Sequence, residues 1–121
     1  MKAHKQVIAG KAADFPVGEF KIVDLEGREI GITRLKNGTL RAVRNHCPHK
    51  GAPICKGIIG GTWPPCEPGE MLFARDGEVL ICPWHGYEFD LMTGEELYHE
   101  QPSKLLMFPV AEQDGSVVVT L

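Results

Sequence analysis

The sequence predicts an antiparallel all-β fold. Turn-forming dipeptides recur along the chain, and each adjoins a short run rich in Val, Ile, Leu or Phe. Such dipeptides are typical of tight turns between short strands. Few stretches carry the apolar period of an amphipathic helix. The dipeptides are Glu26-Gly27, Asn37-Gly38, Asp76-Gly77, Thr93-Gly94 and Asp114-Gly115.

Short apolar runs beside these turns are predicted to be the strands. The middle of the chain differs, because no such dipeptide falls between Asn37-Gly38 and Asp76-Gly77. It holds a Gly- and Pro-rich segment at about residues 55–70, which we interpret as an ordered insertion or lid. The predicted strands are Gln6 to Ala9, Phe20 to Leu25, Glu29 to Leu35, Leu40 to Arg44, Met71 to Arg75, Val79 to Ile81, Tyr87 to Asp90, Leu105 to Val110 and Val117 to Leu121.

Length and composition favour one packed domain over residues 1–121. The chain has 121 residues, of which 43% are hydrophobic, and this is too short for two ordinary domains. A net charge of -3 lacks the basic character of nucleic-acid binding proteins, so we expect no nucleic-acid partner. No window approaches the roughly 18 apolar residues of a membrane span, and the first residues do not resemble a secretory signal. We therefore expect a soluble, cytoplasmic protein without a membrane partner.

Two short stretches combine cysteine with histidine. One is CPHKGAP, which starts at Cys47, and the other is CPWHGYEFD, which starts at Cys82. Each offers one thiol and one imidazole, and this pair alone cannot complete a four-ligand metal site. In a reducing compartment, cysteines are more often thiols or metal ligands than disulfides. The two stretches are therefore predicted to form one metal site together.

The candidate ligands are Cys47, His49, Cys82 and His85. A zinc finger usually takes its cysteines from one knuckle and its histidines from another element, whereas here each stretch supplies both types. Mixed stretches suit a two-iron cluster with chemically different ends, in which the cysteines bind one iron and the histidines bind the other. Replacing two anionic thiolates with neutral imidazoles removes negative charge from the cluster and raises its reduction potential. A zinc site and unligated core residues are the alternatives.

The chain resembles the Rieske 2Fe-2S proteins, and among them the small ferredoxins that serve ring-hydroxylating oxygenases. The resemblance rests on CPHKGAP and CPWHGYEFD as the two cluster-binding loops. The segment VGEFKIVDLEGREIGITRLKNGTLRAVRN is similar to the β-rich part that precedes them. The resemblance implies a Rieske-like, ISP-type antiparallel β sandwich with a cluster-binding subdomain of two loops, at about residues 45–90. It also implies one 2Fe-2S cluster as the cofactor.

The family's ligands and loop residues map directly onto this sequence. By resemblance, Cys47 and Cys82 would bind the inner iron, and His49 and His85 would bind the outer iron. The residues that would shape the loops are Pro48, Gly51, Pro83 and Gly86.

Two departures from the family pattern bear on function. The spacer between the ligand pairs, residues 50 to 81, is longer than is usual in small Rieske ferredoxins, and the surplus lies in the 55–70 insertion. The high-potential Rieske proteins of respiratory complexes carry an extra disulfide and two hydroxyls near the cluster. The matching positions here hold Ala52, Trp84, Tyr87 and Phe89. We therefore predict a potential near the low end of the Rieske range, about -150 mV.

Cys55 and Cys66 remain outside the four-ligand set. They could form a disulfide or bind a second metal, but we favour two thiols packed as small hydrophobic side chains. No phosphate-binding or dinucleotide-binding motif occurs, so the electron donor is expected to be another protein.

The resemblance implies a one-electron carrier that does not transform a substrate itself. Its partners would be an NAD(P)H-dependent flavin reductase and a terminal oxygenase, acting on aromatic rings in the systems it resembles. One alternative is a fixed small Rieske subunit of a nitrite reductase-like or multisubunit oxygenase complex. Another is a zinc-binding or redox-sensing module.

Overall fold

The computed structural model describes residues 5–48, 53–62, 74–83, 87–98 and 103–121. Within these ranges the chain forms β-strands and two short 3-10 turns, Ala12–Asp14 and Ile54–Lys56. No helix in these ranges is long and apolar enough to cross a membrane. The strands are β1 Gln6–Lys11, β2 Phe20–Leu25, β3 Arg28–Arg34, β4 Leu40–Arg44, β5 Ile58–Thr62, β6 Ala74–Ile81, β7 Glu88–Asp90, β8 Met107–Phe108, β9 Val110–Gln113 and β10 Ser116–Thr120.

These strands form three sheets, and neighbouring strands within each sheet run antiparallel. The first sheet has the order β1-β10-β9, the second β2-β3-β4-β8 and the third β5-β6-β7. The third sheet leads directly into the second Cys/His stretch, because β6 ends at Ile81. The antiparallel all-β prediction is confirmed.

Two predicted hairpin turns have the geometry that their sequences require. Leu25 pairs with Arg28 across Glu26 and Gly27, whose φ values are 56° and 82°. Gln113 pairs with Ser116 across Asp114 and Gly115, with φ values of 51° and 78°. Two consecutive positive φ values are the mark of a two-residue type I′ turn, which matches the right-handed twist of paired strands.

The second sheet is buried on both faces. Ile30, Ile32 and Ala42 pack in a hydrophobic core with Val117 and Val119 of β10. The other core includes residues from β4, β6 and β7 and the segments next to them: Leu35, Val43, Cys47, Ile54, Cys55, Leu80, Cys82, Phe89, Leu91 and Leu105. Consecutive residues of β4, Ala42 and Val43, face different cores, as the two-residue period of a strand requires. The second core contains both cysteines of the predicted ligand set.

The structure differs from the predicted strands in the middle of the chain. The Asp76-Gly77 turn prediction is wrong, because β6 runs without interruption from Ala74 to Ile81. Gly77 has a φ of 83°, and the pairing of β5 with β6 shifts register between Gly60 and Thr62. The turn-forming residues Asp76 and Gly77 therefore lie at an irregularity within strand β6. The predicted strand Met71 to Arg75 begins outside the described residues.

Strand β5 was not predicted. It occupies the first part of the 55–70 insertion and pairs with β6. The predicted strand Leu105 to Val110 is also divided, since β8 and β9 belong to different sheets.

Candidate metal centre

Strand β4 carries the chain to the first Cys/His stretch. It ends at Arg44, and Cys47 follows with no solvent-exposed surface. Pro48, the next residue, is exposed. Cys47 therefore lies in the protein core while the next residue lies at the surface.

Strands β6 and β7 hold the second stretch between them. Cys82 follows the last residue of β6 and is 2% exposed. Its backbone N–H donates to the carbonyl oxygen of Tyr87 at 2.8 Å, one step beyond the Ile81–Glu88 pair of the ladder. Main-chain pairing thus closes the second loop at its base. Pro83 is exposed, as Pro48 is.

The fold brings the two cysteines of the predicted site into one dry environment. Cys47 and Cys82 are both buried, neither forms a disulfide, and both belong to the same hydrophobic cluster. Their neighbours in that cluster include Ile54, Leu80 and Phe89. Thiolates are the ligands that iron–sulfur clusters use, and a buried apolar setting is one of the features that tune cluster potential. The donor chemistry therefore fits a 2Fe-2S cluster at its cysteine end.

The first loop leaves the site through the 3-10 turn Ile54–Lys56, in which Ile54 and Cys55 are buried. The side chain of Asn45, before the loop, reaches across to this turn. Its Oδ1 accepts the backbone N–H of Cys55 at 2.9 Å, and its Nδ2 donates to Glu29 Oε1 at 2.6 Å. The N–H of Asn45 also donates to the carbonyl oxygen of Glu29 at 3.0 Å. Sequence reasoning did not single out Asn45.

The two loops are joined by a close backbone approach. Ile58 of β5 pairs with Ile81 of β6, so the segment that follows the first loop lies against the strand that precedes Cys82. A Cβ built at Gly57 would overlap the carbonyl oxygen of Ile81. Glycine at this position allows the approach, since any larger residue would push the two segments apart.

Cys55 is a buried structural thiol. It is free, 5% exposed, and its Sγ lies 4.0 Å from the carbonyl oxygen of Val43. Burial raises the pKa of Cys55 from 9.0 to about 12, and the charge of Glu29 adds to the rise while a backbone hydrogen bond with Gly31 opposes it. A thiol with such a pKa stays protonated at neutral pH, and the thiolate is the form that binds metals and attacks disulfides. The structure supports the packed-thiol interpretation for Cys55.

Several predicted site residues lie outside the described parts of the chain. Among the residues that the structure describes, no three His, Cys, Asp or Glu side chains form a group that could hold a metal ion. Within those residues, Phe89 is fully buried and Tyr87 packs against the core that holds the cysteines. The predicted residues outside are His49, Gly51, His85, Gly86, Ala52, Trp84 and Cys66.

Two buried thiols in one core of an antiparallel β fold, each at the start of a Cys/His stretch, fit a protein that binds a metal cluster between two loops. The chain matches the Rieske 2Fe-2S domain over residues 5–109. It therefore belongs to the Rieske family, and its cofactor is a 2Fe-2S cluster.

Two curated relatives show the range of proteins that share this domain. The chain is 30% identical over 115 residues to cholesterol 7-desaturase of Hemicentrotus pulcherrimus, covering 88% of this chain and 21% of the desaturase. It is 24% identical over 108 residues to the ferredoxin component of the naphthalene 1,2-dioxygenase system of Pseudomonas aeruginosa, covering 89% and 88%. The chain thus spans about a fifth of the first relative and most of the second.

Solved structures confirm the Rieske-like fold. A structure described as the small subunit of an NADH-dependent nitrite reductase from Mycobacterium tuberculosis superposes with a TM-score of 0.74 at 22% identity, covering 99% of this chain and 97% of the other. The Sphingomonas yanoikuyae B1 ferredoxin gives a TM-score of 0.73 at 22% identity, covering 97% and 99%.

Proposed function

We propose that the chain is a one-electron carrier that takes an electron from an NAD(P)H-dependent flavin reductase and delivers it to a terminal oxygenase, most simply one that acts on aromatic rings. The main support for this proposal is that Cys47 and Cys82, which begin the two Cys/His stretches, are buried in the same core of a chain of the Rieske family. The match to a dioxygenase ferredoxin over most of both chains supports the role of a small separate carrier.

The proposed ligands are Cys47 and Cys82 for one iron and His49 and His85 for the other. When bound, the cluster supplies one-electron oxidation and reduction. The chain's own part is to keep the thiol side dry, which Ile54, Leu80 and Phe89 do as fully buried neighbours in the core. Pro48, Gly51, Pro83 and Gly86 are the proposed loop-shaping residues.

We also propose that residues 1–121 form a single domain that acts in the cytoplasm. Its cluster-binding subdomain would cover about residues 45–90 and include the insertion at about 55–70. The pairing of β5 with β6 supports an integral role for the first part of that insertion. The buried, unpaired thiol of Cys55 is compatible with a reducing compartment.

Electron paramagnetic resonance on the dithionite-reduced protein, with iron and sulfide analysis, tests this proposal. We expect two irons and two sulfides per chain and the spectrum of a histidine-ligated cluster. Replacing Cys47 or Cys82 with Ser should abolish that spectrum, whereas the matched control Cys55→Ser should retain it. Colourless protein that contains zinc, or a spectrum of the four-cysteine type, would contradict the assignment.

Protein-film voltammetry tests the predicted low potential. Phe89 is fully buried, and phenylalanine has no hydroxyl to donate to a cluster sulfur. We expect a reduction potential of about -150 mV. A potential well above zero would show that other donors stabilise the reduced cluster.

A second candidate role is a fixed small subunit of a larger reductase or oxygenase. The superposition on a nitrite reductase small subunit over nearly all of both chains favours it. Gel filtration of the protein from its native source separates the two roles. A carrier should elute alone and exchange between partners, while a fixed subunit should co-elute with one large protein.

A further inference from the structure

The segments on either side of the first cluster-binding loop are joined by one side chain. Asn45 precedes the loop and Cys55 follows it, and the Asn45 Oδ1 accepts the Cys55 N–H at 2.9 Å. A second contact runs from Cys55 Sγ to the carbonyl oxygen of Val43 in β4, and it is a weak thiol contact at 4.0 Å. Among the described residues, the amide of Asn45 is therefore a strong polar link between these two segments.

Glu29 fixes the orientation of that amide. An ionised carboxylate only accepts hydrogen bonds, so the Asn45 Nδ2 must face Glu29 Oε1, at 2.6 Å, and the Oδ1 must face Cys55. The backbone N–H of Asn45 is bonded to the carbonyl oxygen of Glu29 as well. Asn45 is thus anchored twice to β3, and its side-chain oxygen is held in place to bind Cys55.

Burial makes this link structurally important. Cys55 is 5% exposed, and a Cβ built at Gly31 would overlap its Sγ, so the turn lies directly on β3. A backbone N–H in such a place needs a partner, because leaving it unpaired costs the full desolvation of the group. Asn45 and Glu29 also line a cleft of about 410 Å³.

We propose that Asn45 is a positioning residue that holds the first cluster-binding loop closed and thereby controls how firmly the cluster is retained. The proposal rests on the ligand set given above, since Cys47 and His49 lie two and four residues after Asn45. Partners outside the ligand shell orient metal ligands, and their loss typically weakens metal binding by about ten- to a hundredfold. Opening the link should loosen the chain that carries both ligands.

Four variants of the iron-loaded protein test the link by exchanging donor and acceptor. Asn45→Ala removes both hydrogen bonds and should speed iron release to a chelator by about tenfold or more. Glu29→Gln should stay within about twofold of wild type, because the glutamine oxygen can still accept from Asn45. Asn45→Asp keeps the acceptor for Cys55 but sets two carboxylates together, so it should be intermediate.

The double variant Glu29→Gln with Asn45→Asp is the decisive member of the series. The introduced glutamine amide can donate to the introduced aspartate carboxylate, which again accepts from Cys55, so iron release should return to within about twofold of wild type. The spectral shape and reduction potential should shift in Asn45→Ala and return in the double variant. A residue that serves stability alone would leave both readouts unchanged in any variant that retains the cluster.

Hydrogen exchange at the Cys55 amide tests the link directly, on the protein as purified. Exchange should be faster in Asn45→Ala and restored in the double variant. Unchanged exchange and iron release in Asn45→Ala, or no recovery in the double variant, would overturn the proposal. If Asn45→Ala does not fold, the comparison of Asn45→Asp with the double variant decides in the same way. A wild-type protein without a histidine-ligated spectrum would refute the proposed function instead. Hydrogen exchange at the Cys55 amide would still show whether the hydrogen bond from Cys55 to Asn45 protects that amide.

Discussion

The two proposed cluster-binding loops are closed at their bases by different means. The second loop is closed by main-chain atoms, from the Cys82 N–H to the Tyr87 carbonyl, as a continuation of the β6–β7 ladder. The first loop is closed by a side chain, because Asn45 binds the Cys55 N–H. A main-chain closure survives most substitutions, whereas a side-chain closure depends on one residue. The first loop is therefore where a single substitution should most easily alter the cluster.

The largest expected effect comes from the point that both loops share. Gly57→Ala would place a methyl group on the carbonyl oxygen of Ile81, next to Cys82. The carbonyl oxygen is part of the backbone and the methyl carbon is bonded directly to it, so neither atom can rotate away. We expect a loss of about 3 kcal/mol or more in the free energy of unfolding. Urea denaturation measures it.

Gly60→Ala, three residues further along the chain in β5, is the matched control. A Cβ there would meet only the Ile81 Cδ1, at 3.9 Å, which is an ordinary contact. Its stability should stay within about 1 kcal/mol of wild type. Equal effects of the two substitutions would show that the close approach at Gly57 is not what joins the loops.

The sequence was informative about the loops and much less so about what closes them. Cys47 and Cys82 could be predicted as partners because their motifs repeat and metal ligation restricts residue type. The role of Asn45 could not be predicted, since an asparagine before a loop is common. Its two side-chain hydrogen bonds go to Glu29 and Cys55, which the tertiary fold brings next to it. Strand β5 was missed for a similar reason. Two glycines interrupt the strand signal of Ile58, Ile59 and Thr62, and the segment is a strand because β6 lies beside it.

The next effect concerns how the exit of the first loop packs on β3. Gly31→Ala would bring a methyl group onto the Sγ of Cys55, and we expect a loss of about 1–3 kcal/mol in the free energy of unfolding. In a Cys55→Ala background the same substitution should cost less, because the sulfur is gone. A double-mutant cycle by urea denaturation measures the coupling. Strictly additive losses would mean that Gly31 is required for another reason.

The raised pKa of Cys55 predicts that the free energy of unfolding falls at alkaline pH because of this one side chain. Its pKa is raised from 9.0 to about 12 in the folded protein. Because the folded pKa is the higher one, the stability contribution is intact below pH 9 and is lost as the pH rises toward 12. Between about pH 8 and pH 10 the wild type should lose about 1.4 kcal/mol more than Cys55→Ala. Denaturation curves of both proteins at the two pH values measure it, and parallel losses would contradict the burial of this thiol.

The smallest effect is expected at the base of the second loop. Tyr87→Phe keeps the carbonyl oxygen that accepts from the Cys82 N–H, and it keeps the ring that packs against the core. Because the closure uses main-chain atoms, iron release should change by less than about twofold, against about tenfold or more for Asn45→Ala. Chelator assays on the two variants side by side measure the contrast. If Tyr87→Phe released iron as fast as Asn45→Ala, the second loop would also depend on a side chain, and the difference between the two loops would disappear.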